Sequence, residues 1–230
     1  MTPTALSGDR GFRCVRRATA PDLVIIPAAR FQMGVTNSEG FTNELPQHTV
    51  YVGAFCLGRT EVTKELRDSV YTRAANQSYF FDHAGMTKAA GQPVQTVNWY
   101  DGVKWCNARS EMEGLTPAYY LDTDFTTVYR EAAQFEARTN HVKWNANGYR
   151  LPTEVEWEKA ARAGLVHLHF PWGGPISHIQ ANYYSSATYA YDVSVTRGYI
   201  RITTPVAFPT PIRPLNLRPT RTVCTAWPTT

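Results

Sequence analysis

The sequence lacks long hydrophobic runs. None of its 230 residues falls in an apolar stretch of the ~18 residues that a membrane-spanning helix needs. An apolar segment is also missing after the basic stretch 1–17, so we expect neither a secretory signal peptide nor a membrane anchor in the chain as given. Aromatic residues make up 13% of the chain, a share that excludes disorder because disordered chains lack the aromatic residues of a core.

Cysteine is scarce and scattered. The four cysteines, Cys14, Cys56, Cys106 and Cys224, form no C-x-x-C pair, which excludes zinc-ribbon and thioredoxin-like sites. Isolated cysteines are mostly small buried hydrophobic residues, so we expect Cys56 and Cys106 to lie in the core rather than to act in redox chemistry.

Common catalytic arrays are missing as well. The sequence shows no arrangement of serine, histidine and aspartate typical of a catalytic triad, and it has no glycine-rich phosphate-binding loop. His167 and His169 have the spacing of two metal ligands on one strand face, but no third ligand accompanies them, so we interpret them as surface histidines. Glu154 and Glu158 share a helix face while Glu156 points elsewhere, which favours a structural role over paired acid–base catalysis.

The excess of positive charge is confined to one end of the chain. The net charge is +4, and residues 201–230 carry four arginines and no acidic residue. The first 200 residues are therefore neutral, with 19 charges of each sign. Outside the tail there is no basic patch interleaved with aromatic residues, so we expect no nucleic-acid partner and no membrane partner.

Short alternating stretches predict strands in the first third of the chain. A β-branched run at 23–27 ends on a proline, and 31–34 alternates apolar and polar residues before a glycine. A polar loop at 35–47 separates these stretches from two more at 48–52 and 55–57. Two further features are a small hairpin of 119–120 with 128–129 and a turn at Asn147-Gly148.

The first of three predicted helices begins after Thr63, a residue suited to the N-cap position. Arg67 and Arg73 lie off its apolar stripe, so we expect both to face water. The stripe itself repeats at helical spacing and consists of Leu66, Val70 and Ala74, with Tyr71 beside it.

The other two helices also have recognisable N-caps. Asn98 precedes the second, with Asp101 at the third position, and Thr153 with Glu156 forms a capping box before the third. Few helices, several short strands and many loops together indicate the α+β class. The expected buried faces are Trp99, Val103 and Cys106 in the second helix, and Trp157, Ala160, Ala161 and Gly164 in the third.

The most specific motif is the run Tyr-Arg-Leu-Pro-Thr-Glu-Val-Glu-Trp-Glu at 149–158. It resembles the Arg-Leu-Pro-Thr-Glu-x-Glu-Trp-Glu motif of the formylglycine-generating enzyme, or sulfatase-modifying factor, family. Further segments between about 23 and 205 resemble the same family in its order and spacing: Phe31-x-Met33-Gly34, Glu44-x-Pro46-x-His48-x-Val50, Glu61-Val62-Thr63, Pro93-Val94-x-x-Val97-Asn98-Trp99, Ala160-Ala161-Arg162-x-Gly164, Phe170-Pro171-Trp172-Gly173 and Ala181-Asn182.

The resemblance implies a loop-rich α+β fold related to C-type lectins. Family enzymes oxidise a cysteine of a client protein or peptide to formylglycine, using oxygen and a copper ion held by two cysteines. Relatives include iron-dependent sulfoxide synthases and non-catalytic lectin-like binding proteins.

The resemblance also implies a calcium site. The asparagine of the family's Ala-Asn pair is a calcium ligand, and Asn182 matches it, with the carbonyl of Tyr183 as the neighbouring ligand. Oxygen ligands suit calcium. The alternative is that Asn182 is an ordinary turn residue.

The departures from the family pattern bear on activity. The family continues with Asn-Gly-Leu-Tyr-Asp-Met-x-Gly-Asn-Val-Trp-Glu-Trp and Arg-Gly-Gly-Ser-Trp, and neither motif is present here. Cys56, Cys106 and Cys224 do not match the copper-binding positions, so the family's copper ligands are absent. We therefore expect an incomplete, inactive domain that leaves apolar surface of Trp99 and Trp157 uncovered. The alternative is a non-catalytic lectin-like binding module.

The expected organisation has three parts. Residues 1–22 are a leader or the remnant of a preceding domain, since Gly11-Phe12-Arg13 resembles the closing segment of the same family. Residues 23–206 form the incomplete domain, and 207–230 form a disordered tail rich in proline and threonine.

A frameshift after about residue 206 accounts for the tail. Residues 221–230 can be encoded by codons whose shifted frame reads Asn-Gly-Leu-Tyr-Gly-Met-Ala-Asp-Asn, close to the missing motif. Sequencing the gene tests this hypothesis, which is wrong if the actual codons do not contain that reading.

Overall fold

The structure is a computed structural model that describes residues 12–16, 20–36, 42–131, 134–166, 168, 170, 172–181 and 183–199. They fall into two compact units, the first from 12–29 and 52–154 and the second from 30–51 and 155–199. The predicted tail 207–230 lies outside the described residues, and the three-part division stays a prediction. In chain order the elements are β1 (Val15–Arg16), β2 (Leu23–Ile26), β3 (Ala29–Met33), β4 (His48–Val52), β5 (Phe55–Gly58), α1 (Lys64–Ala74), α2 (Trp99–Met112), α3 (Glu154–Arg162), β6 (Tyr184–Ser185) and β7 (Gly198–Tyr199).

The sheet of the first unit has the antiparallel order β1-β5-β2. Val15 pairs with Leu57 from one side and Val24 pairs with the same residue from the other, so β5 is the central strand. All four residues of β5 are buried. The strands predicted from alternation in the first third of the chain are confirmed, as is the predicted α+β class.

Helix α1 begins where the sequence predicts, but it has one more buried side chain than the sequence predicts. The Thr63 side chain accepts a hydrogen bond from the Leu66 amide at 3.2 Å, and Val70 and Ala74 are buried. The expectation that Arg67 faces water is wrong: its side chain is 2% exposed. Its guanidinium carbon lies 4.4 Å from the centre of the Tyr71 ring, and its NH2 donates to the His83 carbonyl.

Helix α2 is the central helix of the first unit. Asn98 and Asp101 form a reciprocal capping box, which confirms the predicted start of the helix. Every residue from Tyr100 to Ser110 is buried, including the charged Lys104 and Arg109. The core around α2 also contains the hairpin in which Tyr120 pairs with Val128, as expected from the sequence.

The second unit contains the β3–β4 pair, most of α3 and the β6–β7 pair. The helix starts at Glu154, directly after the predicted cap Thr153. Its buried face differs from the prediction, because Trp157 is 58% exposed whereas Glu156 and Lys159 are buried beside Ala160. Periodicity places a residue on a helix face but does not show which face the rest of the unit covers.

Glu158 in α3 has a structural role, as the sequence predicted. Its carboxylate accepts from the Gly34 amide at 2.8 Å and pairs with Arg162 one turn later. None of the helices in the described part of the chain has the length and apolar character of a membrane span.

Candidate functional site at the start of helix α2

A polar cluster of Asp82, His83, Asn98, Asp101 and Lys104 lies at the N-terminus of α2. Asp101 Oδ1 accepts the Asp82 amide at 2.8 Å, and its Oδ2 accepts His83 Nδ1 at 2.9 Å. Asn98 Nδ2 donates to Asp82 Oδ2 at 3.0 Å. The helix start therefore holds the loop that carries Asp82 and His83.

Two arginines hold the same loop from other directions. Buried Arg67 of α1 donates to the carbonyl of His83, and the Phe80 amide donates to the carbonyl of Arg130 at 3.2 Å. The ring of Phe80 remains 60% exposed, and Met86 further along is 61% exposed. A loop fixed at its backbone thus presents two apolar side chains at the surface.

The cluster has the composition of a metal site. One ligand atom each from Asp82, His83 and Asp101 lies within 4.8 Å of the others. Asp101 is 2% exposed, while His83 keeps about a third of its side chain accessible. Because the ring donates from Nδ1 to a buried carboxylate, a neutral His83 keeps Nε2 as an acceptor. The arrangement can orient an imidazole and hold a loop.

Sequence reasoning found Asn98 and Asp101 only as helix-capping residues and missed Asp82, His83 and Lys104 as partners. Asp82 and His83 lie in a loop without periodicity, 19 and 18 residues before Asp101. The one local signal was a lysine between Val103 and Trp105, inside an otherwise apolar helix segment.

The expected calcium site is only partly within the described structure. Asn182 lies outside the described residues, as do His167 and His169. Tyr183 donates from its hydroxyl to Asp192 Oδ1 at 2.6 Å, and that carboxylate also accepts the amides of Ser186 and Ser194.

The carboxylate of Asp192 is already surrounded by donors. Burial alone raises its pKa, but the hydrogen bonds from Tyr183 and from the amides of Ser194 and Ser186 outweigh burial and hold the pKa below its ordinary value. Arg197 adds an ion pair at 3.2 Å. This described neighbour of Tyr183 therefore does not fit a calcium ligand, and calcium binding at Asn182 and Tyr183 stays a prediction.

The three described cysteines do not fit a copper site. Cys14, Cys56 and Cys106 are buried, as the sequence predicted for the latter two, and no disulfide joins any of them to another described residue. Burial raises the pKa of Cys14 to about 12, although nearby Arg109 acts in the opposite direction. Burial also raises the pKa of Cys106 well above its ordinary value. A buried thiol with a raised pKa is a poor nucleophile, and burial also closes these three sulfurs to an incoming copper ion.

Cysteine alkylation tests this burial. Iodoacetamide at about pH 8 is expected to leave Cys14, Cys56 and Cys106 unlabelled in the folded chain and to label them after denaturation, because alkylation requires an accessible thiolate. Peptide mapping by mass spectrometry gives the labelled positions. Rapid modification of Cys14 or Cys106 in the folded chain contradicts the raised pKa values.

A family model, related sequences and a solved structure each match most of this chain. The family model described as "Sulfatase-modifying factor enzyme 1-like domain" matches residues 9–211. The chaperone protein LppX of Paenibacillus barcinonensis is 32% identical over 66% of this chain, and the inactive C-alpha-formylglycine-generating enzyme 2 of Bos taurus is 29% identical over 70%. The crystal structure of CarF superposes with a TM-score of 0.51 at 26% identity, covering 63% of this chain and 57% of that one.

The similarity does not extend over the whole of these relatives. The chain spans about half the length of each, 49% of the chaperone protein and 55% of the inactive enzyme.

Proposed function

The chain belongs to the sulfatase-modifying factor enzyme 1-like domain family, and from that premise we propose that it does not itself oxidise cysteine to formylglycine. The observation that carries the proposal is the burial of its thiols. Cys14, Cys56 and Cys106 are each at most 2% exposed, so none of these sulfurs is accessible to both a copper ion and a client peptide.

A binding role is the second part of the proposal. A relative named as an inactive enzyme and another named as a chaperone protein both support a non-catalytic role for a domain of this family. The partner that we propose is a client protein or peptide, and nucleic acid and membranes are not proposed as partners. Phe80 and Met86, exposed on a loop that α2 holds, are suitable contact residues for such a module.

We further propose that the domain is incomplete without the two family motifs that the sequence lacks. The exposure of Trp157 supports this, because 58% of a large aromatic side chain faces solvent on a helix that carries the family's most specific motif. Trp99 supports it less, since that ring is partly buried against the core. The frameshift remains the proposed origin of the tail, and the gene sequence tests it independently of any assay.

A peptide assay separates these possibilities. The chain, loaded with copper, is incubated in air with a client sulfatase peptide, and formylglycine is measured by mass spectrometry, with an active formylglycine-generating enzyme as the positive control. We expect no formylglycine from the chain. Copper-dependent product formation overturns the proposal of inactivity.

The binding role needs a separate measurement. A labelled client peptide with serine in place of its reactive cysteine cannot be oxidised, so fluorescence anisotropy reports binding alone. We expect saturable binding that weakens in a Phe80→Ala, Met86→Ala double variant and persists when exposed Tyr51 is replaced by alanine. Absence of any saturable binding overturns the client-binding role while leaving the proposal of inactivity intact.

A further inference from the structure

The ammonium group of Lys104 is an unusual feature of the cluster at the start of α2. Its side chain is fully buried, and its Nζ has no hydrogen-bond partner among the described residues. The nearest carboxylate oxygen is Asp82 Oδ1 at 3.7 Å, and the rings of Phe80 and Tyr129 lie 5.7 and 5.8 Å away. A buried cation without a hydrogen bond is costly unless opposite charge compensates it.

From this arrangement we infer that the Lys104 ammonium occupies the cation position of the Asp82–His83–Asp101 cluster and keeps divalent metal ions out of it. The cluster has a metal site's ligands, and the lysine supplies the positive charge that a metal ion would supply.

The balance of charge supports the inference. Asp82 and Asp101 contribute two negative charges, and Lys104 compensates one of them. Arg67, buried in contact with the His83 carbonyl, interacts electrostatically with Asp101 and forms an ion pair with Asp68 at 3.6 Å, so two carboxylates share its charge. Counting Asp68, three carboxylates face two cations, so a divalent ion would leave an excess of positive charge and would lie near an ammonium that repels it.

The directions of the hydrogen bonds support it as well. Asp101 accepts from the amides of Asp82 and Asn98 and from His83 Nδ1, and Asp82 accepts from the Asn98 amide group. These bonds use both oxygens of Asp101 and Oδ2 of Asp82, and among the described residues no donor reaches Asp82 Oδ1, the oxygen that lies 3.7 Å from the Lys104 ammonium. The cluster therefore holds the loop at 80–83, and the ammonium lies beside the oxygen left open to a cation.

Cobalt titration of the full chain, followed by visible absorption, tests the inference. We expect no saturable Co²⁺ binding by the wild-type chain and binding at least about tenfold tighter by Lys104→Met, which removes the charge while keeping the length of the side chain. Adding His83→Gln to Lys104→Met should abolish the gain. The matched control is Lys143→Met, whose ammonium lies 5.9 Å from the Tyr120 ring and outside the cluster.

Two results overturn the inference. One is stoichiometric Co²⁺ binding by the wild-type chain that is lost in His83→Gln, which would make the cluster a metal site. The other is that neither Lys104→Met nor Lys104→Gln binds Co²⁺ more tightly than the wild-type chain. Binding of Co²⁺ by the wild-type chain overturns the inference even if Lys104→Met does not fold, and Lys104→Gln then provides the comparison for the expected gain.

Discussion

Replacing Asn107 with alanine is expected to lower the free energy of unfolding by about 3 to 5 kcal/mol, because it leaves several buried backbone groups without partners. Asn107 lies in the middle of α2 and is fully buried. Its Nδ2 donates to the carbonyls of Tyr119 and Tyr129, and its Oδ1 accepts the amides of Ala118 and Tyr119. One side chain thus joins both strands of the hairpin to the central helix.

Urea unfolding followed by circular dichroism measures the effect. Asn107→Asp is an informative variant, because it keeps the oxygen that the two amides need but replaces the donor that the two carbonyls need. We expect it to be destabilising as well. The matched control is exposed Asn145→Ala, for which a change below about 0.5 kcal/mol is expected. Equal losses in the two alanine variants would contradict the bridging role of Asn107.

Replacing Gly148 with alanine is expected to cost about 3 kcal/mol or more, since the added methyl group has no space. A Cβ atom at this position would overlap the Thr116 carbonyl oxygen and would lie 2.5 Å from Ser110 Oγ and 2.8 Å from Ser110 Cβ. Ser110 has little freedom to move, because its hydroxyl donates to the Cys106 carbonyl and accepts the Tyr149 amide, both at 2.7 Å.

Gly53 provides the matched control for this variant. A Cβ atom at Gly53 has no neighbour within 4 Å, and the residue belongs to the same unit as Gly148. We expect Gly53→Ala to change the midpoint of thermal unfolding little and Gly148→Ala to lower it strongly. A Gly148→Ala variant as stable as the wild-type chain would show that the turn can move away from Ser110.

Local sequence patterns predicted the elements of the fold well and their buried faces less well. Thr63 and Asn98 are N-caps because a short polar side chain before an apolar repeat satisfies the free amides of the first turn, and that signal is wholly local. Arg67 and Trp157 were misplaced because exposure depends on the neighbouring elements. Arg67 is covered by Tyr71 and Phe81, whereas Trp157 remains largely uncovered.

The candidate site was less accessible to sequence reasoning than the fold. Its capping residues, Asn98 and Asp101, lie three positions apart on one helix and were identified. Asp82 and His83 come from a loop with no periodic pattern, and only the folded chain brings them to Asp101. The cysteines show the opposite case, since their isolated positions already predicted that Cys56 and Cys106 lie in the core, and both are buried.

The sequence by itself determined the family, the α+β class and the starts of the helices, because a motif or a helix cap consists of residues that lie close together along the chain. Tertiary structure alone decided that the Lys104 ammonium faces the carboxylate of Asp82 at 3.7 Å. A lysine in a helix is normally solvated, but packing in the folded chain buries this side chain completely, with the rings of Phe80 and Tyr129 5.7 and 5.8 Å from its ammonium, and so removes the water that would otherwise screen its charge.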